Sequence, residues 1–468
     1  MTIGELEAKI LLDNPAQYHF GSQQPVTGRV QLFYRPHKSL IHRHEPPPEL
    51  FGPLRLVVCL HGCATSGIYE EERVGLDEAF LEERRCRVPL FSTTELAYDG
   101  QFRSQPQETQ EFPFRISFPD FVNEVLIDRL EPTGAFVPDA ALPPTFSGWS
   151  FDRYEAFIHY RIGVEASMPG ININIKVPHR REEPEVRYER PAIPPSQAQD
   201  TTTLLRTGQM SVSNENLLPE SEHAHGLKAK FKAFTKSHTH HDYYPKYVFD
   251  WQCHGPQALH LDQPLTFQVS IQPREEESTA VEKPYVLLTH FELKLEAETL
   301  VRAARGLFFA EERGSETTAA TLQAQLQTAM PFSEAENWTQ TVDVAHLERV
   351  PSSFRTLNIV RTYIAKVKLG FTVAGKKEEF TERFPVVVLP PIDPNAVDTS
   401  SLWATAAWGS QVKGGNSFAP PLEKGYGSAP PPQESGYTNA PPREGGYGIA
   451  PPREDGYGLA AQSENYNY

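Results

Sequence analysis

Long apolar runs, paired cysteines, basic excess and helical periodicity are all scarce in this sequence. No stretch reaches the roughly 18 consecutive apolar residues of a membrane-crossing helix, so none is expected. Four cysteines in 468 residues are too few for a disulfide framework. Only Cys59 and Cys63 lie close together, so a zinc site is not expected and reduced thiols in a cytosolic chain are. Lys and Arg number 44 against 60 Asp and Glu, a net charge of −16, which argues against a nucleic-acid partner because phosphate recognition needs a basic surface. The N-terminal MTIGELEAKILLDNP lacks a cationic leader followed by an apolar stretch and a cleavage site, so no secretion signal is expected. The sequon Asn337-Trp338-Thr339 would then go unused.

What is present is alternation with period two. Leu6, Ala8, Ile10 and Leu12 share one face, with Glu5, Glu7 and Lys9 on the other. The pattern recurs at Val26–Leu32, Leu54–Leu60, Ile158–Val164, Leu265–Ile271, Phe291–Ala297 and Tyr363–Val373. A half-buried strand is apolar toward its core and polar toward water, whereas a buried parallel strand is apolar on both faces. Such strands separated by Pro, Gly and Asp turns predict antiparallel sandwiches. Helical spacing is limited to residues 76–86 and 317–329.

Proline is abundant, 42 residues against a usual share of about 5%, and it is concentrated. Residues 178–237 open as VPHRREEPEVRYERPAIPPSQAQDTTT, a composition with few apolar anchors that reads as a disordered linker. From Ala419 the chain repeats APPLEKGYGS, APPPQESGYTN, APPREGGYGI and APPREDGYGL, each unit closing on Gly-Tyr at Tyr426, Tyr437, Tyr447 and Tyr457. Units this short and polar do not build a solenoid. They read as a disordered tail, either a multivalent ligand for proline- or tyrosine-reading partners or a solubilising extension. The expected organisation is an N-terminal β-sandwich over 1–177, the linker, a C-terminal β-sandwich over 238–392 and the tail over 393–468.

Two motifs invite a catalytic or metal reading. The strand RLVVCLHG ends in His61-Gly62, as strands feeding an oxyanion hole do, but no G-x-S-x-G nucleophile elbow exists. Gly148-Trp149-Ser150-Phe151-Asp152 lacks its last glycine, and no βαβ alternation is present, so an esterase is not expected. The run Ser237-His238-Thr239-His240-His241-Asp242 offers metal-ligating side chains without distant ligands to close a site. It reads as a solvated loop. No catalytic, cofactor-binding or metal residue is assigned.

Five segments in order resemble the arrestin superfamily, specifically fungal arrestin-related proteins. They are Val26-Thr27-Gly28-Arg29-Val30-Gln31-Leu32, the run Leu56 to Thr65, Glu111-Phe112-Pro113-Phe114-Arg115-Ile116-Ser117-Phe118-Pro119, Leu142-Pro143-Pro144-Thr145-Phe146, and Tyr154 to Ala166. The segments Thr356 to Val367 and Phe384 to Pro390 resemble the family's late strands. The resemblance implies two antiparallel immunoglobulin-like β-sandwiches, an all-β fold without enzymatic activity or cofactor. The implied protein is a cytoplasmic adaptor or scaffold with peripheral sites at the plasma membrane or endosomes. It would carry membrane-protein cargo toward endocytosis, trafficking or ubiquitin-dependent turnover. Family members recruit HECT-type ubiquitin ligases through P-P-x-Y, and this sequence departs from that pattern: every Pro-Pro pair lacks tyrosine at the fourth position. A retromer-like sorting subunit and a soluble signalling scaffold are the alternative readings.

Leu227-Lys228-Ala229-Lys230-Phe231-Lys232-Ala233-Phe234-Thr235-Lys236 suits either a short basic amphipathic helix on an anionic membrane or a solvated linker edge. As a helix it sets Leu227, Phe231 and Phe234 on one stripe, and each lysine adds about 1 kcal/mol near an anionic surface. In the membrane reading, liposome flotation at moderate salt detects binding that falls when Lys228, Lys230, Lys232 and Lys236 become glutamine. Equal flotation of the two versions contradicts it.

Overall fold

The computed structural model describes residues 3–37, 49–73, 79–122, 134–150, 153–198, 202–219, 244–305, 308–323, 329–347 and 350–396. Among these no α-helix occurs. The first ten strands are β1 (Gly4–Leu12), β2 (Tyr18–Phe20), β3 (Val26–Pro36), β4 (Leu50–Arg73), β5 (Ala79–Ser104), β6 (Thr109–Ile116), β7 (Phe146–Ser150), β8 (Tyr154–Ser167), β9 (Asn174–Lys176) and β10 (Arg187–Glu189). They form a sheet in the order β6-β3-β1-β9, a second in the order β5-β4-β8-β7, and a small pair, β10-β2.

The second set is β11 (Thr202–Ser213), β12 (Lys246–Pro256), β13 (Ala258–His260), β14 (Leu265–Pro273), β15 (Val286–Arg305), β16 (Phe308–Gln323), β17 (Met330–Pro331), β18 (Thr339–Val344), β19 (Phe354–Arg355), β20 (Ile359–Val373) and β21 (Lys376–Leu389). Its sheets run β11-β12-β14-β18 and β13-β21-β20-β15-β16, with β17 and β19 appended to β15 and β20. Pairing between these strands is antiparallel except for three short contacts, β1–β9, β10–β2 and β13–β21.

Burial follows the period-two reading. Leu6, Ala8, Ile10, Val26, Val30, Leu32, Leu54, Leu56, Val58 and Leu60 fill the first core. Leu265, Phe267, Val269, Ile271, Phe291, Leu293, Leu295 and the odd-numbered run Tyr363–Val373 fill the second. Charged partners line the water side, as in Arg35–Glu7 at 2.9 Å and Lys176–Glu5 at 2.7 Å. Gly28 stands where β1 and Phe114 press closest. A Cβ there would lie 2.4 Å from the Leu11 carbonyl oxygen and 2.7 Å from the Phe114 ring. The aromatic residues of the resemblance, Phe114, Phe118 and Phe146, are core. Phe118 packs on Tyr160 and Tyr188 with centroids 5.2 and 4.7 Å apart.

The linker expected over 178–237 is corrected across its described part. Val186, Tyr188 and Ile193 are buried, β11 pairs along β12 with Leu205, Met210 and Val212 in the second core, and Leu217 in the turn that follows joins them. Charge and proline between widely spaced anchors hide a segment that needs only a few of them to dock. The helices expected at 76–86 and 317–329 are also corrected: Ala79 onward lies in β5 and residues through Gln323 lie in β16. Ladder pairing with β4 and β15 overrides local propensity there. The histidine run, the lysine-bearing segment and the tail tyrosines lie outside the described residues.

The second sandwich's last strand hands on to a return contact. Ile193 donates its N–H to Pro391 O at 2.9 Å, and Asp393 donates to Ile193 O at 3.0 Å. A chain ending after Ala396 keeps this contact and every described core residue. Its melting temperature is expected to match that of the full chain, while a chain ending after Pro390 melts lower. Differential scanning calorimetry of the three lengths checks this.

Candidate functional site: a polar seam between the sandwiches

Inward positions of a sandwich strand are normally apolar, yet several along the line where the two sandwiches meet are polar and fully buried. Ser66, Thr299, Arg302, Ser353, Thr356, Asn358 and Arg361 are all at most 3% exposed. A buried polar group left unpaired costs about 1–3 kcal/mol, so the partners of these groups define what the seam does.

Asn358 sits in the turn between β19 and β20. Its Nδ2 donates to Ser66 Oγ at 3.0 Å and to Ala64 O at 3.2 Å, with Cys86 O at 3.4 Å. These acceptors belong to β4 and β5 of the other sandwich. Ser66 Oγ in turn donates to Arg302 O at 2.6 Å, and Arg302 N donates to Asn358 O at 2.9 Å, closing a loop of bonds through both bodies. Thr356 Oγ1 accepts from Ile359 N at 2.9 Å and holds the turn. The Arg302 guanidinium donates to Leu357 O at 2.6 Å and stacks 4.7 Å from the Phe136 ring.

A second node lies beside it. Arg190, directly after β10, donates from Nε to Leu142 O at 3.0 Å, from Nη1 to Ser353 O at 2.9 Å and from Nη2 to Asp139 Oδ2 at 2.9 Å. The ion pair is almost wholly buried, and Asp139 Oδ2 also accepts from Arg355 N at 3.1 Å. Here one carboxylate and one guanidinium tie the 134–145 loop, β10 and β19 together. Apolar contacts run the same way: Val301, Ala303, Phe354, Leu357 and Ile359, from the second set of strands, complete the first core. Phe354 meets Phe146 edge-on at 5.3 Å.

Glu189 borders this node. Burial pushes its carboxyl up to about 7, against the Arg190 backbone N–H and the Arg190 charge.

The His61-Gly62 motif falls in mid-strand. His61 faces Glu183 across 3.2 Å, nitrogen to oxygen, and Gly163 opens the space: a Cβ there would stand 2.7 Å from Glu183 Oε1. Burial, then Arg180, Arg87 and Arg161, lowers the imidazole's pKa, and burial raises that of Glu183. Ser92 is the register partner of His61, but among the described residues no side-chain hydrogen bond joins the two. The four cysteines are free thiols, and burial pushes Cys59 up to about 11 and Cys253 up to about 12. No group of three or more His, Cys, Asp or Glu side chains suited to a metal ion occurs among the described residues. The expected site residues Lys228, Lys230, Phe231, Lys232, Phe234, Lys236, Tyr426, Tyr437, Tyr447 and Tyr457 are not placed. The seam was not expected, although polar residues at inward strand positions, Ser66 after Ala64 and Thr299 after Ala297, were its visible sign.

Strand pairing and seam together define a protein of two antiparallel β-sandwiches, and every described residue falls within one compact unit. No family model and no curated protein matches the chain. Among solved structures, the sporulation control protein Spo0M from Bacillus subtilis is similar over 67% of this chain and 92% of its own, at 11% identity and a TM-score of 0.19. Dimeric latent PorU from Porphyromonas gingivalis is similar over 82% of this chain and 34% of its own, at 9% identity and a TM-score of 0.19. Likenesses this distant carry no argument, and the fold class rests on the pairing itself.

Two outcomes follow from the seam. Asn358→Ala removes the amide that bridges the sandwiches and is expected to cost about 1–3 kcal/mol, read as a lower urea midpoint with a broadened or split transition. Glu189 binds its proton more tightly folded than unfolded, since about 7 exceeds the ordinary carboxylate value of 4.5. Its contribution is therefore complete below 4.5 and is lost as pH rises through about 7. The melting temperature of Glu189→Gln relative to the unsubstituted protein is expected to rise from pH 5 to pH 8. A constant difference contradicts the assignment.

Proposed function

We propose that the protein is a non-catalytic adaptor of the arrestin-like type. It recognises membrane-protein cargo from the cytoplasmic side and delivers it to trafficking or ubiquitin-dependent turnover. The observation that carries this reading is the seam. Two sandwiches bonded through Asn358, Ser66 and Arg302 form one stiff body, and a stiff body can present separate sheet surfaces at a fixed spacing, as an adaptor must to hold two partners at once. The ordered motifs that resemble arrestin-related proteins support the same reading. Without P-P-x-Y, a HECT-type ligase would have to be recruited by another element, and the four Gly-Tyr repeats are the segment offered for it.

Proximity labelling by the full chain in living cells tests the reading. Integral membrane proteins and a ubiquitin ligase are expected among the labelled partners, and the label should move to the plasma membrane under a nutrient or stress cue. A labelled set without membrane proteins overturns it. Hydrolysis of an activated ester, lost in Ser92→Ala, would contradict the absence of catalysis.

A further inference from the structure

The outward face of β14, in the sheet β11-β12-β14-β18, differs from the other solvated faces. Those carry cross-strand ion pairs such as Arg35–Glu7 and Lys368–Glu379. Along β14 every outward side chain is an uncharged hydrogen-bonding group: Thr266, Gln268, Ser270 and Gln272. In register with Ser270 stand Gln252 on β12 and Thr339 on β18. At that end of the sheet lies a cavity of about 470 Å³, within the size range of small-ligand sites.

The lining has no ionisable side chain. Gln252, Ser270, Gln272 and Asn337 supply amides and a hydroxyl, and Pro273 and Trp338 supply apolar surface. Beside the lining, Arg274 pairs with Asp250 at 2.6 Å and with Glu277 at 3.2 Å. Among the described residues, no protein hydrogen bond engages the side chains of Gln252, Ser270, Gln272 or Asn337. Two successive non-glycine residues, Asn337 and Trp338, are left-handed, with φ of 50° and 55°. Such a backbone is costly for a bulky residue and persists where the surroundings fix it. Here the Trp338 carbonyl accepts from Ile271 N at 2.9 Å and its N–H donates to Ser333 O at 2.8 Å. Those bonds fix an indole that packs against the second core at the wall of the cavity.

We infer that this cavity binds a neutral saccharide. A sugar ring offers an apolar C–H face and a rim of hydroxyls, and it carries no charge that the lining would have to balance. The Trp338 indole supplies a surface for the C–H face, and planar amides donate and accept at once, matching hydroxyl pairs. The chain's own proline-rich repeats suit the lining less well, because each of their units carries a charged residue that would find no counter-charge here. The inference is independent of the adaptor reading.

The test is calorimetric titration of the full chain with four neutral probes: cellohexaose, maltohexaose, mannohexaose and chitohexaose. At least one is expected to bind with micromolar to millimolar affinity. Trp338→Ala should weaken that binding tenfold or more, and the double variant Gln252→Ala, Gln272→Ala should weaken it severalfold at an unchanged melting temperature. The double variant keeps the test decisive should Trp338→Ala disturb its strained turn. Absence of binding by all four probes overturns the inference, and so does binding that both variants leave intact. Displacement of a bound probe by the peptide APPREGGYGIAPPREDGYG would also overturn it, by assigning the cavity to the tail.

Discussion

The arrangement depends on one side-chain amide finding its acceptors across a boundary. Asn358 is completely buried, and water cannot replace any partner it lacks. Its bonds to Ser66 Oγ and Ala64 O require β4 to arrive at one height and the β19–β20 turn at another. A shift of either sandwich by a single residue would strand several polar groups at once. Apolar packing alone tolerates such slips far better, because dispersion contacts are nearly interchangeable. The polar seam therefore fixes the geometry that the shared apolar residues Phe354, Leu357 and Ile359 make favourable.

The Arg190–Asp139 node works under the same constraint with charges. A buried ion pair adds little net stability over apolar residues of similar volume, but removal of one partner is severe. Arg190 donates to three acceptors, two in the 134–145 loop and one at Ser353, so it specifies which segments meet. Glu189 beside it has its carboxyl pushed up to about 7 by burial, and the Arg190 guanidinium divides its donors between the Asp139 carboxylate and two carbonyl oxygens.

Much of the fold was legible in the sequence because a half-buried strand must write its two faces into alternate positions. Leu54–Leu60 and Tyr363–Val373 show this directly. Where the rule has no purchase, legibility ended. β10 has three residues, too few for a period, and its single buried anchor Tyr188 sits among Arg187, Glu189 and Arg190. β11 interrupts its alternation at the irregular pairing between Leu204 and Arg206. The seam was hidden for another reason: an inward Ser or Asn is recognisable as odd, but its partner lies hundreds of positions away. Trp338 was read within a sequon, and only the fold brings Gln252 and Ser270 beside it.

The distance between those partners also orders events in time. Asn358 and Ala64 are 294 residues apart, and the first core includes Phe354, Leu357 and Ile359. A ribosome that has finished every strand through β10 has therefore not yet made the residues that seal that core. The nascent first sandwich waits with an open flank while the rest of the chain emerges at roughly 5–20 residues per second. That interval of many seconds is long compared with hydrophobic collapse, on the order of microseconds, so this flank is the place where a chaperone, or a second nascent copy, would act first.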